Sequence, residues 1–188
     1  MHRLLLVDDE PNVLSALRRA LRTAFNENEL RIETHDDPGR ALARAGEIAF
    51  DLVVSDFRMP GLDGVQFLQQ LRRIQPQAVR FMLSASAEVD TLLRALNEGE
   101  VLRFIVKPWD DEVLIAQVRE GLARADELRE DQRLADQMRQ QRGEMSASEV
   151  ERRRLEAQNP ALVQVDWGPN GEILMPDGLL DPDEGGKA

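Results

Sequence analysis

The first two thirds of the chain predict a doubly wound α/β fold, in which helices cover both faces of a five-stranded parallel sheet. Short apolar runs alternate five times with amphipathic helical stretches over residues 1–125. Three of those runs, LLLV, LVV and FIV, are continuously apolar, as is typical of strands buried on both faces. Such sheets bind ligands beyond the carboxyl ends of their strands, where the strand order reverses. We therefore expect the functional residues at that edge.

Five segments are predicted as strands because they are short, apolar and rich in β-branched or aromatic residues. The second, LRIETH, alternates apolar and polar residues and is typical of an edge strand. The predicted strands are Arg3–Val7, Glu29–Thr34, Asp51–Ser55, Ala78–Ser84 and Leu102–Val106.

Five helices are predicted from apolar residues that recur at three- and four-residue steps. Gln75-Pro76 ends the third helix, and Gly99 follows the fourth as a C-terminal cap. The predicted helices are Pro11–Phe25, Pro38–Ala45, Asp63–Ile74, Ala87–Asn97 and a fifth that begins near Asp110.

The fifth helix does not stop where the sheet-forming region ends, which predicts a helical extension over residues 126–158. A heptad-like seam with spacings of seven, three and seven is formed by Leu128, Ala135, Met138 and Met145. Asp131 and Arg142 interrupt this seam, and Gly143 is expected to break the helix. The pattern fits either a solvated, charge-rich helical linker or a two-chain coiled coil.

The remaining residues predict a second short helix and a small β-hairpin. Ser148 and Glu151 have the spacing of a capping box that opens a helix ending near Gln158. In residues 159–176, LVQVDW alternates apolar and polar residues, GPNG supplies a turn and EILM returns as a second strand. Residues 177–188 are rich in Pro, Gly and Asp and are expected to be flexible.

Charge and composition exclude several classes of function. The net charge is −11, which disfavours binding to nucleic acid or to an anionic membrane. The chain has no cysteine and only two histidines, His2 and His35, which argues against thiolate sites, histidine-rich metal sites and Ser-His-Asp triads. No apolar run approaches the ~20 residues that span a bilayer, and MHRLLLVDDE lacks the apolar core of a signal peptide. We expect a cytoplasmic location.

Polar residues stand at the carboxyl ends of four predicted strands. Asp8 and Asp9 follow the first strand and Asp56 follows the third. These strands are neighbours in a doubly wound sheet, so the carboxylates should converge and require a cation, and oxygen ligands suit Mg²⁺. Ser84 and Lys107 stand at the ends of the fourth and fifth strands and offer groups that bind phosphate oxygens. The set predicts a phosphoryl-transfer site with an aspartate nucleophile.

Residues 1–125 resemble the receiver domains of two-component response regulators, which have a flavodoxin-like (CheY-like) fold. The motifs LLLVDDE, VVSDFRMPGLDG, MLSAS and FIVKPWD occur in the family's order. The stretch ALNEGEVLRFIVKPWDDEVL is similar to receivers found beside hydrogenase regulators, hybrid kinases and cyclic-di-GMP phosphodiesterases of the HD-GYP kind. The resemblance implies a signalling protein that catalyses only its own phosphorylation and dephosphorylation.

The resemblance implies roles for the acidic residues. Asp56 would accept a phosphoryl group from a sensor histidine kinase or a phosphotransfer protein. Asp9, Asp56 and the backbone carbonyl of Arg58 would bind Mg²⁺, with Asp8 acting through a metal-bound water.

The resemblance also implies how phosphorylation is sensed. Ser84 and Lys107 would contact the phosphoryl group, and Phe104 would be an aromatic switch coupled to Ser84. Arg58 and Ser86 occupy the two positions that tune phosphoryl lifetime in the family.

The segment after residue 125 is expected to act through protein contact rather than DNA binding. It carries 15 acidic and 8 basic residues, and its only basic run, residues 152–154, is flanked by glutamates. We expect either self-association as a homodimer or docking on an unidentified protein. Two alternatives stay open: a phosphorylation-independent scaffold or adaptor, and a Mg²⁺-dependent aspartyl phosphatase. Arg58 argues against the phosphatase, because haloacid-dehalogenase-like enzymes have a second aspartate at that position.

Overall fold

The computed structural model describes residues 1–85 and 101–160, together with the backbone of residues 166–167 and 173–174. Five of its strands form one parallel sheet: β1 (His2–Val7), β2 (Leu30–His35), β3 (Leu52–Asp56), β4 (Val79–Ala85) and β5 (Arg103–Lys107). Their order across the sheet is β2-β1-β3-β4-β5, which confirms the predicted doubly wound fold. The alternating β2 lies at one edge, as predicted, and β5 lies at the other.

Five helices are described around and beyond this sheet: α1 (Pro11–Arg22), α2 (Pro38–Glu47), α3 (Gly64–Ile74), α4 (Asp111–Gln141) and α5 (Ala147–Gln158). The predicted helix Ala87–Asn97 lies outside the described residues. Two short strands, β6 (Asp166–Trp167) and β7 (Ile173–Leu174), pair antiparallel within the segment predicted as a hairpin.

The core has two layers, one on each face of the sheet. One layer packs α1 and α4 against the sheet, and the other packs α2 and α3. Along β1, Leu4 and Leu6 enter the first layer, whereas Leu5 and Val7 enter the second. Both faces of the strand are therefore buried, which explains why LLLV is continuously apolar.

Gly121 allows α4 to lie close to the sheet. A β-carbon at this position would meet Cζ of Phe81 at 2.7 Å and a methyl group of Leu52 at 3.2 Å. A helix bearing a larger residue here would have to move away from the strands, so this glycine sets the distance between α4 and the sheet.

Helix α4 continues well beyond the core that it covers. Ala125 is its last buried apolar residue, and Leu128 of the predicted heptad seam packs partly against the core of the same chain. The helix ends at Gln141, and Gly143 has a φ of 71°, so the predicted break is confirmed.

The start of α5 differs from the predicted capping box. Ser146, not Ser148, is the N-cap, and its hydroxyl accepts a hydrogen bond from the backbone N–H of Glu149 at 3.2 Å. The pairing of Ser148 with Glu151 was wrong because the chain turns at Gly143 and starts the helix two residues earlier, which leaves Ser148 inside the first turn. Ser146 and Glu149 form the same S-x-x-E pattern.

Candidate functional site

Asp8, Asp56 and Lys107 meet at the carboxyl edge of the sheet. The Lys107 Nζ atom lies 2.7 Å from Oδ2 of Asp8 and 2.5 Å from Oδ1 of Asp56. Asp8 is fully buried and Asp56 is 6% exposed. Three strands position these groups, because Asp56 ends β3, Lys107 ends β5 and Asp8 directly follows β1. The sheet thus brings together residues that are 48 or more positions apart in sequence.

Backbone N–H groups hold the second oxygen of each carboxylate. Asp8 Oδ1 accepts a hydrogen bond from the N–H of Glu10 at 2.9 Å, and Asp56 Oδ2 accepts one from the N–H of Arg58 at 2.7 Å. Both carboxylates are therefore fixed in orientation from two sides. These contacts could not be predicted from the sequence, since every residue but proline has an N–H and the residue type gives no signal.

Gly64 is a further residue whose structural role the sequence analysis missed. A β-carbon at Gly64 would lie 2.2 Å from the carbonyl oxygen of Asp56, so the chain that starts α3 can pass over the end of β3 only with glycine here. Asp63 caps α3 in a capping box with Gln66. The Asp-Gly pair at the predicted helix start was the available signal.

The charges of the three central residues do not balance. Burial raises the pKa of Asp8, although its bonds to Lys107 and to the N–H of Glu10 oppose that rise. Burial also disfavours the charged form of Lys107, but the hydrogen bonds that its ammonium donates to Asp56 and Asp8 outweigh burial and leave the pKa of Lys107 above its ordinary value. One ammonium thus faces two carboxylates, which leaves a net negative charge in a buried position.

The other predicted site residues lie around this group. Ser84 is buried near the end of β4, and its hydroxyl donates to the carbonyl of Ala85 at 3.1 Å. Phe104 on β5 is half-buried, opposes Met82 on β4 and packs against the core layer of α2 and α3. Ser86 lies outside the described residues.

Asp9 and Arg58 complete the predicted metal set. Both are exposed at the same edge. Among the described residues, no three acidic or histidine side chains converge closely enough to hold a metal ion. The donor set nevertheless fits Mg²⁺, because Asp8, Asp9 and Asp56 supply only oxygen atoms and a dication would compensate the excess negative charge.

Comparison with known proteins identifies the domain. Residues 4–119 match the family model described as "Response regulator receiver domain". The hydrogenase transcriptional regulatory protein HoxA of Cupriavidus necator is 34% identical over 118 residues, which are 63% of this chain and 23% of HoxA. The chain spans about a quarter of the length of the curated regulators it matches first. In the described part of the chain, no helix has the length and apolar character needed to cross a membrane.

Solved structures agree with this match. A structure reported as adenylate cyclase from Rhodopirellula baltica superposes with a TM-score of 0.66 and 32% identity, over 72% of this chain and 97% of that one. The signal receiver domain of an HD domain-containing protein from Pseudomonas fluorescens superposes with a TM-score of 0.64 and 29% identity, over 69% of this chain and 92% of that one. With its fold, its carboxyl-edge aspartates and this family match, the chain belongs to the receiver domains of two-component response regulators.

Proposed function

We propose that this receiver accepts a phosphoryl group on Asp56 from the phosphohistidine of a sensor histidine kinase or a phosphotransfer protein. One observation carries the proposal: the buried Asp56 carboxylate is held between the Lys107 ammonium at 2.5 Å and the N–H of Arg58 at 2.7 Å. That arrangement orients an acceptor oxygen and supplies positive charge where the incoming phosphoryl group adds negative charge.

Each residue of the site would have a separate role in phosphoryl transfer. An oxygen of Asp56 attacks phosphorus, the O–P bond forms, and the P–N bond to the donor imidazole breaks with its electron pair leaving on nitrogen. Lys107 neutralises charge on the phosphoryl oxygens, and the Ser84 hydroxyl donates to one of them. Asp8, Asp9, Asp56 and the carbonyl of Arg58 would hold Mg²⁺, which neutralises phosphoryl charge when bound.

Phosphorylation would be sensed along β4 and β5. Ser84 lies two residues beyond Met82, the β4 residue that opposes Phe104 on β5. A hydroxyl drawn towards the phosphoryl group would open space beside Phe104, whose half-buried ring can then turn inwards. Backbone chemical shifts should change along β5 and the first turns of α4. We call Asp8, Asp56 and Lys107 the acidic site. Chemical-shift changes confined to the acidic site would contradict this switch.

A phosphodonor assay tests the acceptor. The full chain is incubated with Mg²⁺ and a labelled small phosphodonor, beside Asp56→Asn and Asp36→Asn. Asp36 is a matched control, since it is an exposed carboxylate just beyond β2 at the same edge of the sheet. We expect label on the wild type and on Asp36→Asn, and none on Asp56→Asn. Label retained by Asp56→Asn would refute the assignment.

We further propose that output is protein contact through residues 126–158, with self-association as a homodimer. Leu134 and Met138 support it, because they are 42% and 58% exposed on the part of α4 beyond the core. The acidic charge of the segment also disfavours DNA as the target. Transcriptional regulation by HoxA does not carry over to this chain, because the match covers only 23% of that protein.

Light scattering after size-exclusion chromatography, with and without Mg²⁺ and beryllofluoride as a phosphoryl mimic, tests the output. We expect a dimer that Met138→Glu weakens and Gln137→Glu, at an exposed position on the same turn, does not. A mass change seen in the wild type but not in Asp56→Asn makes dimerisation phosphorylation-dependent. A monomer under all conditions would refute self-association. A partner that binds Asp56→Asn and wild type equally would instead support a scaffold.

A further inference from the structure

A second charged cluster lies at the amino edge of the sheet, opposite the acidic site. It consists of His2, Asp51, Asp126 and Arg129, and we call it the basal cluster. Arg129 Nη2 lies 2.7 Å from Oδ1 of Asp51 and 3.3 Å from Oδ1 of Asp126. The His2 ring stands between the carboxylates, with Nδ1 3.7 Å from Asp51 and Nε2 3.5 Å from Asp126. The cluster joins the receiver to the point where α4 leaves it.

The receiver half of the basal cluster is fixed. Asp51 directly precedes β3, its carboxylate is only 17% exposed, and its Oδ2 accepts a hydrogen bond from the N–H of Arg3 at 2.7 Å. Its backbone also bonds to Arg3 and Val79 on the two neighbouring strands. A carboxylate held in this way offers α4 a rigid anchor rather than a mobile surface charge.

On α4, polar residues of the basal cluster lie on the same face of the helix as the apolar residues that pack against the core. Arg129 follows Ala125, the last buried apolar residue, by four positions, so it lies on the same face of the helix. Three residues later, the Gln132 side chain reaches Gln77, at 3.5 Å, just before β4. Beyond Leu128, polar contacts therefore replace apolar packing as the link between α4 and the receiver.

The charge of the basal cluster depends on His2. Its direct neighbours are two carboxylates and one guanidinium, so a neutral ring leaves one negative charge uncompensated. Glu29 and Arg119 line the same cleft and offset each other, and the Met1 ammonium precedes His2 in the chain. Arg129 Nη2 lies 3.2 Å from His2 Nδ1, so a neutral ring can accept from Arg129, whereas a protonated ring can donate to both carboxylates.

We propose that the basal cluster is an ionic latch that fixes the direction in which α4 leaves the receiver. A small change in the angle of α4 would displace its far end by several ångströms, because α4 runs 16 residues beyond Ala125, about 24 Å at 1.5 Å per residue. Asp136 of α4 pairs with Arg153 of α5 at 3.2 Å, so α5 moves with α4.

Distance measurements between two spin labels test the latch in the full chain. The chain has no cysteine, so Gln70→Cys on α3 and Gln137→Cys on α4, both exposed, can be labelled without background. The variants compared are Arg129→Gln, His2→Gln and Arg133→Gln. Arg133 is the matched control, because its ion pair with Glu130 lies within α4 and does not touch the receiver.

We expect a single narrow distance distribution in the wild type, at least twofold broader in Arg129→Gln and unchanged in Arg133→Gln. His2→Gln keeps the ion pairs of Arg129 with Asp51 and Asp126, so it should broaden the distribution less than Arg129→Gln does. All variants should accept beryllofluoride like the wild type, since the acidic site lies at the opposite edge. Equal widths for wild type and Arg129→Gln would overturn the latch.

Discussion

At the scale of single residues, Lys107 shows how one cation can serve two buried carboxylates without balancing them. Its ammonium contacts Asp8 and Asp56 together, and the pKa of Asp8 is raised because burial outweighs those contacts. A carboxyl whose pKa is raised by folding stabilises the folded state below its unfolded value of 3.8. That contribution is lost as the pH rises through the folded pKa, so at neutral pH the charged Asp8 costs stability.

We therefore predict that Asp8→Asn stabilises the metal-free protein at pH 7.5, because it replaces a buried carboxylate with a neutral amide. The gain should shrink as the pH falls towards 3.8, because the wild-type carboxyl then takes up its proton. Urea denaturation in EDTA at several pH values measures the difference in unfolding free energy between Asp8→Asn and the wild type, with Asp36→Asn as the control. A gain independent of pH would contradict the assignment to Asp8 ionisation.

Removing the cation should have the opposite effect. Lys107→Met leaves two buried carboxylates facing each other, and we predict a loss of about 3–5 kcal/mol in unfolding free energy at pH 7.5. Adding Asp8→Asn to this variant should restore part of that loss. Phosphorylation of Asp56 by a small phosphodonor should fall by about 10²–10³-fold, as when a charge-stabilising group is removed from a transition state. A labelling rate like that of the wild type would contradict the proposed role of Lys107.

At the scale of elements, replacing two helical glycines with alanine should change the stability of the protein in opposite directions. Gly121→Ala would place a methyl group 2.7 Å from Phe81, whereas a β-carbon at Gly46, near the end of α2, has nothing within 4 Å. The steric cost at Gly121 exceeds the ~1 kcal/mol that alanine gains over glycine in a helix.

We predict that Gly121→Ala destabilises the protein by about 1–3 kcal/mol and that Gly46→Ala stabilises it by about 0.5–1 kcal/mol. Thermal or urea unfolding measures both. Stabilisation by Gly121→Ala would mean that α4 can move away from β3 and β4 at little cost, and that packing does not fix its height above the sheet.

The elements also show what sequence periodicity can and cannot determine. The strand runs and a fifth helix that begins near Asp110 were predicted because burial on a sheet imposes a repeating apolar pattern. The capping box of α5 was misplaced by two residues because both serines have a glutamate three positions later. Only the turn at Gly143, a matter of backbone conformation, selects Ser146.

At the scale of the whole molecule, the two edges of the sheet carry separate charged clusters. Position relative to a strand end was enough to predict that Asp8, Asp56 and Lys107 lie close together, because parallel strands end at the same edge of a sheet. The basal cluster has no such signal. It joins His2 and Asp51 to residues 126 and 129, and only the packing of α4 across the sheet brings them together.

The separation of the clusters predicts additivity. The change in unfolding free energy of Asp8→Asn/Arg129→Gln should equal the sum of the single variants within about 0.5 kcal/mol, because neither residue contacts the other's partners. Urea denaturation of the wild type, the two single variants and the double variant measures the four unfolding free energies that this comparison needs. A larger interaction energy would show that the acidic site and the base of α4 communicate through the sheet in the unphosphorylated state.

The use of lysine at the acidic site has a chemical consequence for the whole chain. Its basic residues are almost all arginine, and the only lysines are Lys107 and Lys187. Amine-reactive reagents can therefore modify only three positions, which are Lys107, Lys187 and the terminal amine. The Lys107 amine, charged and held by two carboxylates, should acylate slowly. The mass of a single tryptic fragment would then report on the acidic site, and random amine coupling to a sensor surface would seldom block it.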